Sequence, residues 1–282
     1  MSIKLPFLSA TTLLRQNHLR ADKNLGQNFL QEPEALEKII AAAEIEQDDT
    51  ILEIGPGLGH LTRYLALSAQ KVICVELDHD LIPVLQNVLA DFPNVRIVEN
   101  DILKVTPASI LEKDDYLVVA NVPYYITSAI FRHLLKYKPQ PRRIVLTVQK
   151  EVAERICAQP GDMSLLALSI QVFGKPKIAG VLNADAFHPI PRVDSAIVRV
   201  DMYQNPEIEA DLLDKFFHVA KAGFSQKRKT LRNSLSAGLQ LSTQQTAQIL
   251  ENNGIDPMRR AETLDIKEWA TLTSAFSHNQ AS

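Results

Sequence analysis

Between residues 50 and 148 the chain repeats one pattern five times: a short apolar run, then a stretch with helical spacing. The runs are Thr50 to Ile54, Lys71 to Glu76, Val95 to Val98, Tyr116 to Ala120 and Arg143 to Val148. Short runs rich in Val and Ile suit buried strands, and strands joined through helices pair in parallel. The pattern predicts a parallel sheet with helices on both faces. Two further β-like stretches, Lys177 to Val181 and Ser195 to Met202, are placed to close that sheet as a hairpin. Residues 1 to about 32 read as a helical arm with a turn at Asn24 to Asn28, and Pro33 to Ala43 sets Leu36, Ile39 and Ile40 on one helical face. Around Asn205-Pro206 the character changes. Residues 207 to 282 carry helical patterns at Ala210 to Lys221, Thr243 to Asn252 and Ile266 to Phe276, and no convincing strand. The expected organisation is an α/β domain over 1–205 and a small all-helical domain over 206–282.

The first predicted strand runs into Glu53-Ile54-Gly55-Pro56-Gly57-Leu58-Gly59, which opens a helix. Glycines belong where a chain turns sharply and a ligand must approach the backbone, and the helix N-terminus offers unpaired N–H groups. Glu76 ends the next strand, 21 residues after Gly55, where a carboxylate can accept hydrogen bonds from ribose hydroxyls. After the third strand, Asp101 is placed to bond an adenine amino group. These features alone leave a nicotinamide-dinucleotide fold open. The spacing Gly55-x-Gly57-x-Gly59 departs from the dinucleotide pattern and favours an S-adenosylmethionine loop.

Directly after the fourth strand stands Asn121-Val122-Pro123-Tyr124. Strand ends of this kind are where open α/β sheets bind ligands. Val122 precedes proline and is pushed to an extended conformation, an arrangement that aims the Asn121 side-chain oxygen and the Val122 carbonyl at one point. Two such acceptors would hold an exocyclic adenine amine and favour a more tetrahedral nitrogen, exposing its lone pair. Tyr124 supplies a flat face for the base, worth about 1–3 kcal/mol. No strong general base is visible. A sulfonium methyl donor needs alignment and charge stabilisation more than proton abstraction.

Net charge is −3, which argues at first against a nucleic-acid partner. The distribution argues for one. From Tyr116 to Lys150 there are six basic residues and no acid, and from Lys215 to Leu250 again six and no acid. Phosphate contacts respond to local potential, so such tracts suit RNA as well as a solvated helix face. The two cysteines, Cys74 and Cys157, and the seven histidines match no metal spacing, so no metal is expected. No apolar run approaches the roughly 18 residues of a membrane span, and no signal-peptide layout is present. A cytoplasmic protein with no membrane partner is expected.

Asn-x-Pro-Tyr after such a glycine loop resembles the amino-methyltransferases acting on adenine. Further stretches narrow the resemblance to the ribosomal RNA adenine dimethyltransferases. They are Lys23 to Leu30, Phe187-His188-Pro189-Ile190-Pro191-Arg192-Val193-Asp194-Ser195, the basic Phe224 to Asn233, and Arg260 to Leu264. The matches span about residues 11 to 275, in the family's order. The resemblance reaches the bacterial small-subunit branch linked to kasugamycin sensitivity. It implies a class I methyltransferase fold, Rossmann-like with a mostly parallel seven-stranded sheet, plus a helical C-terminal domain that binds rRNA. It implies dimethylation of the N6 amines of two adjacent adenines in a hairpin loop of 16S rRNA, in the 30S subunit or its precursor, by a monomer.

By the same resemblance, S-adenosylmethionine would be held by Asn28, Leu30, Gly55, Gly57, Glu76, Asp101 and Asn121. Asn28 and Leu30 would contact its methionine end. Asn121, Val122, Tyr124 and Phe187 would form the catalytic group, with Phe187 covering the base opposite Tyr124. Lys227, Arg228, Lys229 and Arg232 would meet RNA phosphates. Val122 departs from the leucine or isoleucine usual there, but the backbone carbonyl is what matters. The 23S rRNA dimethyltransferases of macrolide resistance and a non-catalytic assembly factor on the same fold are the competing readings.

Overall fold

The computed structural model describes residues 5–278. The strands are β1 (Phe29–Leu30), β2 (Thr50–Ile54), β3 (Lys71–Glu76), β4 (Val95–Glu99), β5 (Leu117–Asn121), β6 (Arg143–Gln149), β7 (Gly174–Leu182), β8 (Phe187–His188) and β9 (Ser195–Met202). Seven of them form one sheet in the order β4-β3-β2-β5-β6-β9-β7. The pairs β2–β3, β3–β4, β2–β5 and β5–β6 are parallel, and β9 runs antiparallel to β6. The two late β-like stretches therefore do close the sheet. The central strands are largely apolar because helices cover both their faces: all five residues of β2 are buried, Glu53 among them, as are the first four of β5.

The helices α1 (Ala10–Gln16), α2 (Pro33–Ala43), α3 (His60–Ser68), α4 (Ile82–Val88), α5 (Pro107–Ile110), α6 (Thr127–Lys136) and α7 (Lys150–Ile156) are interleaved with these strands. After β4 at one edge, the chain returns across the sheet to place β5 beside β2. Strand order reverses there, and the crevice beyond the carboxyl ends of β2 and β5 is the binding position of such sheets. The glycine loop follows β2, and Asn121 ends β5.

Two features were not anticipated. Residues 1–4 of the expected arm lie outside the described residues; among the described ones the arm is helical over Ala10–Gln16, after which the chain turns at His18 (φ 57°) and Leu19 N–H bonds back to Leu14. A second, two-stranded sheet pairs β1 antiparallel with β8, setting Phe29 against His188 and Leu30 against Phe187. Two-residue strands have no alternation to read in sequence.

The chain divides into two compact units, one comprising residues up to 153 with 176–202, the other 154–175 with 203 onward. A single cut near 205 does not describe this, because α8 (Leu165–Gln171) and its flanks pack with the C-terminal helices. Gly161 and Met163 N–H groups donate to the Glu262 carbonyl, and Phe173 stacks on Phe217 with ring centres 6.5 Å apart. The second unit continues with α9 (Leu213–Phe224), α10 (Leu231–Leu239), α11 (Thr243–Asn252) and α12 (Ile266–His278), built around the fully buried Trp269. Helix α10, with Gly238 pressed on Ala222, is a close-packed helix not among those expected from the sequence.

Candidate active site

The crevice is a pocket lined from four directions: the turn before β1, the glycine loop, the ends of β3 and β4, and the segment after β5. Asn28, Leu30, Gly55, Gly57, Glu76, Asp101, Asn121, Val122 and Tyr124 all line it. Residues as far apart in sequence as Asn28 and Asn121 thus meet at one place.

At the glycine-loop end, Gly55, Gly57 and Gly59 have φ of 65°, 58° and 83°, a region that L side chains rarely adopt. A Cβ on Gly57 would stand 3.0 Å from the Phe29 ring, whereas one on Gly55 would meet nothing within 4 Å. The open side of Gly55 is a cradle that a side chain would fill. Glu76, buried to 6% exposure, gathers three backbone N–H groups: Gly57 on Oε2 at 2.9 Å, and Leu77 and Asp78 on Oε1 at 2.8 and 2.9 Å. Burial pushes its carboxyl above the usual range while the N–H bonds pull it back. A carboxylate has about four acceptor positions, so a position stays open on the pocket side for a ribose hydroxyl. Asp101 uses one oxygen to accept Leu103 N–H at 2.9 Å. A nucleoside with a charged tail fits this end, as S-adenosylmethionine requires.

Glu53 and His60 also line the pocket, and sequence reasoning gave neither a role. Burial drives the Glu53 carboxyl up to about 8, so it is neutral at pH 7, with the Cys74 thiol 3.4 Å away. Burial lowers His60 to about 4, and its Nε2–H donates to the Leu8 carbonyl at 3.0 Å. Their sequence signal is position alone: one precedes and one follows the glycines.

At the other end, the Asn121 Nδ2–H donates to the Asn28 carbonyl at 3.0 Å, across 93 residues. That bond fixes the amide plane and leaves Oδ1 as a free acceptor. The Tyr124 and Ser195 hydroxyls share a 2.6 Å hydrogen bond. Burial raises the Tyr124 phenol above its ordinary value, so it is neutral. Ser195 ends the Phe187 loop motif, and its role as a tether was not foreseen. Gln27 is a second tether, its Nε2 donating to Asp78 at 2.6 Å. Phe187 is not among the residues that line the pocket. It is 1% exposed, clustered in the core with Leu30, Val119 and Ile197, and belongs to β8, where it pairs with Leu30. Tyr125, 62% exposed at the lip, was passed over.

The two basic tracts fare differently. Arg142 is ion-paired with Asp49 (2.7 Å) and Asp115 (2.9 Å), and Arg143 with Asp201 (2.6 Å) and Glu44 (3.4 Å). These arginines fasten the sheet. Lys227, Arg228 and Lys229 lie exposed in the turn between α9 and α10, and Arg232 is half-buried beside Asn233.

Among the described residues, no helix is long and apolar enough to cross a membrane. Residues 18–272 match the family described as ribosomal RNA adenine dimethylase. The ribosomal RNA small subunit methyltransferase A of Dehalococcoides mccartyi (strain CBDB1) is 47% identical over 262 residues, covering 93% of this chain and 90% of that protein. The protein of the same name from Alkaliphilus metalliredigens is 39% identical over 275 residues, covering 95% and 96%. Among solved structures, a dimethyladenosine transferase from Plasmodium falciparum superposes with a TM-score of 0.77 at 28% identity, over 89% of this chain and 98% of that one. The 23S rRNA methyltransferase ErmE gives 0.71 at 26%, over 89% and 100%. With its seven-stranded sheet and glycine-loop pocket, the chain belongs to the ribosomal RNA adenine dimethylase family of class I methyltransferases.

Proposed function

We propose that this chain transfers methyl groups from S-adenosylmethionine to the N6 amines of two adjacent adenines in a hairpin loop near the 3′ end of 16S rRNA, in the 30S subunit or its precursor. The observation that carries the proposal is the pinned Asn121 amide: its nitrogen is held by the Asn28 carbonyl, which leaves its oxygen to serve as an acceptor in the pocket that Tyr124 also lines. When bound, S-adenosylmethionine supplies a methyl group on a sulfonium. Glu76 holds its ribose, Asp101 its adenine, and Asn28 with Leu30 its methionine end.

The chain's own work is to hold a second base in line. Asn121 Oδ1 accepts one N–H of the target amine, and the Val122 carbonyl accepts the other. Conjugation of the nitrogen with the ring weakens, and its lone pair turns toward the methyl carbon. Tyr124, neutral and tethered to Ser195, stacks on the base and faces the positive charge that the nitrogen acquires. Loss of one N–H proton to solvent restores a neutral methylated amine, which can be methylated again. A base in a loop is already partly unstacked, so presenting it costs less than extruding one from a duplex. Lys227, Arg228, Lys229 and Arg232 neutralise phosphates of the same RNA. The reaction takes place in the cytoplasm, with the enzyme a monomer and no metal involved.

Tritiated S-adenosylmethionine, unmethylated 30S subunits and, separately, 50S subunits test this reading, with digestion to nucleosides identifying the product. Dimethyladenosine from 30S alone is the expected result. Label in 50S alone would move the target to 23S rRNA. Tight 30S binding without transfer would make the chain an assembly factor.

A further inference from the structure

Tyr125 has no part in holding the target base, yet it is the most exposed aromatic side chain at the pocket. Its exposure is 62%, and it lines the pocket at the lip. It follows Tyr124 in a single 3₁₀ turn, Tyr124–Ile126, where successive side chains point about 120° apart. Tyr124 is turned inward to Ser195, so Tyr125 is turned to the mouth. Burying an aromatic ring is favourable and exposing one is not, so a ring kept in water beside a ligand pocket calls for a partner.

The ring is also seated. A Cβ on Gly26 would stand 3.1 Å from Tyr125 Cε1, 3.2 Å from its Cδ1 and 3.3 Å from Pro123 Cβ. Gly26 thus gives the ring edge its place against the turn before β1, and its φ of +63° also favours glycine. Past Ile126 the chain enters α6, whose exposed positions Ser128, Arg132 and Lys136 recur every four residues along one face. The helix carries no acid. A seated, exposed aromatic followed by a cationic, acid-free helix face is the combination that binds single-stranded nucleic acid: the ring takes a base and the cations take the backbone.

We propose that Tyr125 is a second stacking platform, which holds the base next to the target in the RNA strand at the mouth while the target lies in the pocket. This rests on the reading of the chain as an adenine dimethyltransferase of adjacent bases. When the two targets are neighbours, one must wait outside while the other reacts. Tyr125 keeps the waiting adenine unstacked from its RNA neighbours and within one nucleotide of Asn121. It is a positioning residue for the second pair of methyl transfers.

The test is a cycle between the protein and its substrate. Wild type, Tyr125→Phe and Tyr125→Ala are compared on 30S subunits rebuilt with intact 16S rRNA or with an abasic nucleotide at the neighbouring position. Tyr125→Phe should keep the wild-type KM, because the ring remains. Tyr125→Ala should raise the KM for intact subunits about 5- to 150-fold, the range expected for one lost base–aromatic stack, and leave S-adenosylmethionine affinity unchanged. Subunits carrying one dimethylated adenine should accumulate. The abasic substrate should cost wild type the same factor and cost Tyr125→Ala little. Equal abasic losses in wild type and Tyr125→Ala would overturn the proposal. Absence of methyl transfer by wild type to intact 30S would instead overturn the underlying reading of the reaction.

Discussion

The two ends of the pocket are built by different means. At the cofactor end, neighbouring segments lock one another: three backbone N–H groups converge on Glu76, and the glycine loop presses on Phe29. The backbone itself is the binding surface there. At the base end, each working side chain hangs on a single long-range tether, Asn121 on the Asn28 carbonyl and Tyr124 on Ser195. A rigid end suits a ligand that is the same in every turnover. An end held by single hydrogen bonds suits a base that must enter, react twice and make way for its neighbour. Binding and alignment should therefore fail separately when each end is damaged.

The largest effect is expected behind the base end. Phe187→Ala removes a fully buried ring of the β1–β8 pair itself and should cost about 3–5 kcal/mol of stability, read by denaturant titration. A loss below about 1 kcal/mol together with abolished activity would instead give Phe187 a direct role over the base. Next comes Asn121→Ala, which should lower kcat about a hundredfold, the scale of one lost aligned polar group. Its S-adenosylmethionine affinity should stay near wild type, and a parallel collapse in calorimetry would erase the distinction between the two ends. Glu76→Ala should do the reverse, weakening cofactor binding about tenfold to a hundredfold through lost hydrogen bonds to a charged group, with RNA binding intact.

A further effect sharpens the cofactor end and depends on pH. Glu53 in the folded chain titrates at about 8 instead of near 4.5, so between those values the native state holds a proton that the unfolded chain has released. The contribution of this group to stability is whole below pH 4.5 and declines as pH rises, by about 1.4 kcal/mol per unit, until it is lost near pH 8. Glu53→Gln should flatten that slope and gain on wild type between pH 5 and pH 7.5. Denaturation midpoints that run parallel across this window would show that Glu53 is charged in the native state.

Local pattern sufficed for the sheet and for the cofactor end. The central strands β2, β3, β5 and β6 are short, largely apolar runs, and the spacing from Gly55 to Glu76 is set by one strand–helix–strand unit. The same locality made the glycine turn readable, because its positive φ values are demanded by adjacent residues.

What remained hidden depends on contacts between remote segments. The pairing of β1 with β8 sets Phe187 beside Leu30 in the core, and neither two-residue strand exists without the other. Helix α10 buries Leu231, Leu235 and Leu239, but its close approach through Gly238 to Ala222 of α9 is set by a contact with another helix. The basic tract at 116–150 looked available as charge, yet Arg142 and Arg143 spend theirs on acids from Glu44 to Asp201. The sequence by itself determined a parallel α/β sheet, a glycine loop with its acid, and a family. The tertiary structure alone decided which side chains reach the pocket, because a hydrogen bond spanning 93 residues, as between Asn28 and Asn121, leaves no periodic trace along the chain.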